Sequence, residues 1–231
     1  MSLVEFKDLC KAYGNKEVLH DINLKIEKGK IYGLLGPNGS GKTTIIKLIN
    51  DLLQPTKGEV LVNGEKPGVL SKKIISYLPE RTYLNMNMKV KELISFFEDF
   101  YEDFDRKRAE DLLDKLKINK DDKLKTMSKG TKEKVQLIMV MSRKADLYIL
   151  DEPIGGVDPA SRDYILETII SNYSKNSSII ISTHLIADIE KTLDRVIFIN
   201  QGKVTLNEDT DEIRTKKKTT IDKLFREEFK C

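Results

Sequence analysis

The sequence predicts an α/β fold with a mostly parallel sheet as its core, an antiparallel β subdomain and an inserted helical subdomain. Three observations predict it. Apolar runs of strand length alternate with segments of helical spacing, which calls for a parallel sheet covered on both faces. A glycine-rich turn at residues 36–43 sits between one such run and a helix. Strand-like runs then vanish from about Val90 to Ile118, where helical spacing takes over.

The elements follow in order. Val4-Glu5-Phe6 alternates, and Asp21 to Glu27 alternates over seven residues, the period-2 mark of half-buried strands. Glu27 to Lys30 reads as a turn, and Ile31 to Leu35 as a buried strand. From Thr43 to Leu53, apolar residues at 45, 46, 48, 49, 52 and 53 have helical spacing. Gly58 to Gly64 is a strand closed by an Asn-Gly turn, and Ile74 to Leu78 a strand stopped by Pro79. The helical stretch carries Leu93, Phe96, Phe97, Phe100, Tyr101 and Phe104, then Leu112, Leu113 and Leu116. Strands return at Leu147 to Leu150, Ser178 to Ser182 and Arg195 to Ile199, with a helix over about 159–173 between the first two. The charged tail turns helical from Ile221 to Phe229. One domain therefore spans 1–231: core about 1–86 and 144–206, helical subdomain about 87–143, tail 207–231.

Composition narrows the function classes. Lys plus Arg is 40 against 37 Asp plus Glu, a net charge of +3, which lacks the electrostatic footprint of a nucleic-acid binder. No window approaches 18 uncharged apolar residues, so no transmembrane helix is expected. The N-terminus lacks the basic and apolar regions of a secretory signal. Cys10 and Cys231 are too few for a disulfide framework or a zinc site and read as free thiols in a reducing cytoplasm.

Gly36-Pro37-Asn38-Gly39-Ser40-Gly41-Lys42-Thr43 fits the P-loop pattern G-x-x-x-x-G-K-[ST], with Thr44 following it into the helix. Glycines let successive N–H groups turn in around a phosphate, and the next helix aims its positive end at the same point. Lys42 adds a full positive charge for the β and γ phosphates, and the Thr43 hydroxyl is placed to bind Mg²⁺. A chance match in a chain of this length is on the order of one per cent from average residue usage. With a strand before it and a helix after it, the motif assigns a nucleotide but not a reaction.

Leu147 to Leu150 delivers Asp151 and Glu152 at the carboxyl end of a strand, where open α/β sheets bind ligands. Asp151 fits the metal-holding role and Glu152 that of a base accepting a proton from water, which hydrolysis requires.

Between these two landmarks, Met127-Ser128-Lys129-Gly130-Thr131 precedes a helical run to Arg143. This arrangement resembles the ATP-binding cassette (ABC) family, whose signature motif is commonly Leu-Ser-Gly-Gly-Gln. Other landmarks match in order over roughly residues 3–206. Tyr13 stands at the adenine-stacking aromatic, Glu80 at the Q-loop, Gly156-Val157-Asp158 at the D-loop and His184 at the switch histidine. The resemblance implies an ATPase using ATP and Mg²⁺, with Glu152, His184 and Lys42 catalytic and Thr43, Asp151 and Glu80 near the metal. It also implies a head-to-tail partner, a second ABC ATPase subunit of the same or another kind. Ser128, Lys129, Gly130, Thr131 and Asp158 would act on that partner's ATP. Ser128 can cap the following helix and leave its positive end facing an anion.

The family couples this cycle to integral membrane transporter subunits, here expected as separate polypeptides. The chain would thus lie peripherally on the inner face of the cell membrane. Three departures stand out: Lys129 replaces the first signature glycine, Thr131 the glutamine, and Glu80 the Q-loop glutamine. Leu-Pro-Glu and Ser-Lys-Gly together resemble bacterial exporter-type members linked to drug, peptide or antibiotic-resistance transport. The alternative is a soluble ABC ATPase of the assembly or regulatory type. His20 reads as structural. The aromatics from Phe96 to Phe104 read as core or as a groove for the membrane partner, and Arg214 to Lys218 as a solvated connection or a membrane contact.

Overall fold

The computed structural model describes residues 2–155, 159–171, 173 and 176–229. The N-terminal strands β1 (Ser2–Tyr13) and β2 (Lys16–Glu27) precede β3 (Ile31–Leu35), helix α1 (Lys42–Ile49) and β4 (Lys57–Val62). β1, β2 and β4 pair antiparallel in the order β2-β1-β4. The short helix α2 (Val69–Ile74) leads into β5 (Ile75–Leu78). Three helices follow: α3 (Val90–Phe100), α4 (Arg106–Lys115) and α5 (Lys129–Met141). Then come β6 (Leu147–Asp151), α6 (Pro159–Ser171), β7 (Ser178–Ser182), α7 (Ile186–Ile189) and β8 (Arg195–Asn200). The chain finishes with β9 (Lys203–Asp209), α8 (Thr210–Lys216) and α9 (Ile221–Phe229).

The main sheet runs β5-β6-β7-β3-β8-β9, parallel throughout except for the β8–β9 hairpin at its edge. Every residue of β3, β6 and β7 is buried, the continuous apolar run of strands covered on both faces. Side chains alternate between two cores, as strand geometry dictates. Leu34, Ile149 and Ile180 face α1 (Ile45, Ile46) and the antiparallel sheet. Leu35, Leu150 and Ile181 face Met141, Ile165, Ile186 and Phe225 on the helical side. A third core, around Leu93, Phe97, Leu113 and Ile138, holds the helical subdomain together. Helix α5 is common property: Val135, Ile138 and Met139 belong to that third core, while Leu137, Val140 and Met141 pack on the sheet.

The observed elements depart from expectation at identifiable places. α1 stops at Ile49, four residues before the predicted Leu53, because Asn50 folds its side-chain amide back onto the Ile46 carbonyl (2.9 Å) and Asp51 takes φ +56°. Leu52 is consequently exposed. α2, α7, α8 and β9 have no counterpart in the sequence reading, and α2 takes Ile74, so the strand expected from Ile74 starts at Ile75. β9 pairs on one side only, so it tolerates the outward charges that masked its Val204/Leu206 alternation. It runs across the 206/207 boundary and ties the tail to the core, where Phe225 and Phe229 pack on the Phe198 ring.

The aromatic stripe divides. Phe97 is core and touches Tyr101 and Phe104, whereas Phe96 and Phe100 stack on each other on the outside. The basic run lies largely in α8, where Arg214, Lys216 and Lys217 pair with Asp211, Glu212 and Glu208. Among the described residues no helix is long and apolar enough to cross a membrane.

Candidate functional site

The glycine-rich turn leaves β3, the strand flanked by β7 and β8 in the main sheet. Its position at the carboxyl end of a central parallel strand is where open sheets take ligands. Gly41 closes the turn with φ +115°, a conformation L side chains avoid, and lets α1 begin at Lys42. The β8–β9 turn buttresses the loop from below, with the Gly202 N–H bonded to the Ser40 carbonyl at 2.9 Å.

Gly36 is packed too closely for any side chain. A Cβ there would lie 2.3 Å from the Ile199 carbonyl oxygen and 2.7 Å from Ser40 Oγ. Overpacking of this kind costs about 1–3 kcal/mol. Gly36→Ala is therefore expected to lower the melting midpoint by several degrees and to weaken ATP binding by displacing the loop. A calorimetric midpoint equal to that of the parent would contradict the packing.

Lys42 is almost completely buried, and its ammonium donates to the Gly36 and Pro37 carbonyls (2.7 and 3.1 Å). Burial pushes its pKa down, while Glu152, Asp151 and Glu80 pull it back up. Without a ligand the cation is held by the loop it serves, and a bound polyphosphate would supply the counter-charge. Asp151 ends β6, with only 2 % of its surface exposed. Burial raises its carboxyl pKa, and the nearby anions Glu152 and Glu80 add to the rise. The Ser182 and Thr43 hydroxyls beside the carboxylate pull the other way, while its Oδ2 and Ser40 Oγ have no hydrogen-bond partner.

A buried carboxylate oxygen left without a partner is costly unless something polar arrives. An Mg²⁺ ion and a phosphate chain suit that donor set: Asp151 Oδ2 and the Thr43 hydroxyl are hard oxygen ligands of the kind Mg²⁺ takes. Among the described residues no group of three or more His, Cys, Asp or Glu forms a self-contained metal site, so phosphate and water oxygens would have to complete the shell.

Glu152 follows at φ +53°, a strained value for a non-glycine residue. The turn is held by its N–H to the Ser182 carbonyl (2.8 Å) and by Gly155 N–H to its own carbonyl (3.1 Å). Both carboxylate oxygens lie 3.1 Å from His184 Nδ1, and Thr183 Oγ1 donates to Oε2 at 3.2 Å. The neighbouring strands β6 and β7 thus deliver Glu152 and His184 as a pair.

One cleft of about 890 Å³ gathers most of the expected residues: Asn38, Gly39, Gly41 to Thr44, Glu80, Lys129, Asp151, Glu152 and His184. Gly36, Pro37 and Ser40 belong to the same loop but do not line the cleft. Tyr13 lies outside the lining, half exposed, with the Lys11 ammonium 5.3 Å from its ring centroid. Ser128 caps α5 by accepting from the Thr131 N–H at 3.2 Å. Ser128, Gly130 and Thr131 also lie outside the lining, and nothing lies within 4 Å of a Cβ built on Gly130. Asp158, with Gly156 and Val157, lies outside the described residues. The sequence reading missed Lys132, Glu133 and Gln136, which share the cleft wall with Lys129. Their spacing of three, four and seven residues from Lys129 was the available signal: one polar face of a helix.

A parallel sheet with a P-loop on its central strand and a paired acid and histidine on the next strands defines a nucleotide-hydrolysing P-loop protein. The sequence profile of the ABC transporter family matches residues 19–155. The chain is 32 % identical over 217 residues to the ABC transporter ATP-binding protein YtrB of Bacillus subtilis (strain 168), covering 92 % of this chain and 74 % of that protein. It is 32 % identical to the SkfA peptide export ATP-binding protein SkfE of the same organism, covering 88 % of each. A solved structure of an ATP-binding subunit of an ABC transporter superposes with a TM-score of 0.89 at 28 % identity, over 98 % of this chain and 99 % of that one. This chain belongs to the ABC transporter family. It is an ATP-binding subunit, an ATPase of the kind that works with membrane subunits, and the non-transport alternative is not favoured.

Proposed function

We propose that this subunit drives export through separate membrane subunits by ATP-dependent closure of two cassettes, head to tail, on the inner face of the cell membrane. The observation that carries the reading is a division of labour. One cleft holds the phosphate-binding and hydrolytic groups and is walled by one face of α5, Lys129 included, while Ser128, which caps that helix, and an open Gly130 stand outside the lining. A capped helix start with free N–H groups is an anion site. The partner in this reading is a second ABC subunit whose triphosphate that end covers, with Lys129 and Thr131 beside it and Asp158 contributing from its own loop. Residues 87–143 then act as the helical arm carrying the signature, on the core of 1–86 and 144–206. Tyr13 would stack on adenine from the end of β1.

Lys42 and the N–H groups of Gly39 to Thr44 bind the phosphates, and Thr43, Asp151 and Glu80 are the residues that would hold Mg²⁺. The ion, when bound, supplies charge neutralisation between the β and γ phosphates. Glu152 takes the proton of the attacking water as its oxygen bonds to the γ-phosphorus and the bond to ADP breaks. Both Glu152 oxygens lie within hydrogen-bond reach of His184 Nδ1. His184 is thereby placed to orient the base beside the γ-phosphate.

Export is supported by the likeness to the peptide export protein. The exposed Phe96 and Phe100 on α3 offer an apolar patch suited to a cytoplasmic helix of a membrane subunit. Light scattering with and without ATP tests the closure: the Glu152→Gln subunit is expected to double in mass on adding ATP. Lys42→Met should abolish the shift by weakening ATP binding about 10- to 100-fold, the worth of one or two charge-assisted bonds. A subunit that binds ATP and stays monomeric at all concentrations would overturn the reading.

A further inference from the structure

We infer that Arg143 is a positioning residue that sets the angle of the helical arm, and so aims the signature end of α5 at the partner's nucleotide. The inference rests on the two-cassette reading above and concerns a residue on the far side of the sheet from the nucleotide cleft. Arg143 follows α5 and is 4 % exposed. Its guanidinium spends its donors on two different bodies. Nη1 and Nη2 donate to the Ile75 and Lys73 carbonyls (2.6 and 2.8 Å), at the amino end of core strand β5. Nε and Nη2 donate to the Asp103 carboxylate (2.9 and 3.1 Å), in the loop joining α3 to α4.

The Tyr101 ring lies under the guanidinium carbon at 3.9 Å. Two backbone bonds close the same joint, Lys144 N–H to the Asp103 carbonyl (2.9 Å) and Asp105 N–H to the Ser142 carbonyl (2.7 Å). The planar fork of arginine suits such bidentate bridging, and lysine cannot reproduce it.

The consequence follows from leverage. α5 has 13 residues and is therefore about 20 Å long. Its last two turns are buried in two cores and end at the Arg143 joint, whereas its first turn is only partly buried or exposed. A small rotation at the joint moves the Ser128 end by ångströms. The nucleotide groups Lys42, Asp151 and Glu152 sit at the opposite, carboxyl ends of the strands and share no partner with Arg143. α5 walls the cleft through Lys129, Lys132, Glu133 and Gln136, but the phosphate grip is the P-loop's own, so loosening the joint should cost closure and turnover far more than ATP binding to the lone subunit. Asp103 completes the joint from the arm.

The test compares Arg143→Met, Arg143→Lys and the milder Asp103→Asn in the full subunit. ATP affinity of the monomer is expected to fall far less than turnover, because Lys42 is held by the P-loop carbonyls and not by the joint. ATPase kcat is expected to fall by up to about 10²-fold, the scale on which misplacement of an ångström acts. ATP-induced dimerisation in the Glu152→Gln background should require far more protein. Arg143→Lys should recover only part of both losses, and Asp103→Asn, which keeps the carbonyl contacts, should fall between.

A parallel loss of ATP affinity and turnover in Asp103→Asn would mean a general structural role and overturn the proposal. So would normal kcat and dimerisation in a folded Arg143→Met. If the parent pair itself never forms with ATP, the two-cassette reading fails first and this inference with it.

Discussion

Glu152→Gln is expected to leave ATP bound and to cut hydrolysis by about 10² to 10⁴-fold, the usual worth of a positioned general base. The substitution is nearly isosteric, so the geometry that holds the residue is retained. The Ser182 carbonyl still receives the backbone N–H, and Gly155 still donates to the carbonyl of residue 152. The side chain can still meet Thr183 and His184. What disappears is the lone pair with enough basicity to take a proton from water, together with one negative charge facing the phosphates. ATP affinity should therefore stay level or tighten. Single-turnover hydrolysis with labelled ATP, alongside equilibrium binding, separates the two quantities. Turnover within a few-fold of the parent would remove Glu152 from the mechanism and direct attention to His184 as the base.

Much of the architecture was legible because its signals are local. β3 and β7 match their apolar runs residue for residue, and α9 begins and ends at Ile221 and Phe229 as its spacing predicts. The P-loop is readable because a phosphate cradle needs glycine at fixed places: Gly41 must reach φ +115° and Gly36 must touch the β8 backbone. Signals that depend on partners were not legible. β9 is an edge strand whose outward charges look like loop until β8 is seen beside it. The Glu152–His184 pair joins residues 32 positions apart, and nothing in either local stretch announces it. The Arg143 joint joins a loop to a strand start with no motif at all. What the sequence states is chemistry held in one segment; what folding adds is which segments meet.

Asp151→Asn carries the other large effect, and it acts in opposite directions on stability and on function. In the parent, burial raises the Asp151 pKa, with Glu152 and Glu80 adding to the rise. A carboxyl raised above its unfolded value stabilises the fold only where it is protonated, and becomes a cost as pH climbs through the folded pKa. Above that folded pKa, with metal chelated, the parent carries a buried anion with an unpartnered oxygen. Removing that charge is expected to stabilise the nucleotide-free subunit by on the order of 1 kcal/mol, about 2–4 °C for a chain of this size. The gain should be largest in alkaline buffer and shrink towards zero on acidification, as the parent's own carboxyl takes up its proton. Metal-dependent ATPase should fall by about 10²-fold or more, since a cation's transition-state stabilisation is worth several kcal/mol and the amide holds that cation poorly. Melting curves in chelator across pH, paired with hydrolysis at saturating Mg²⁺, test both halves. A variant less stable than the parent in alkaline chelator would show that Asp151 is stabilised by its surroundings as an anion. The site would then be built around the charge itself, whereas the orphaned oxygen and the raised pKa describe one that waits for the ion.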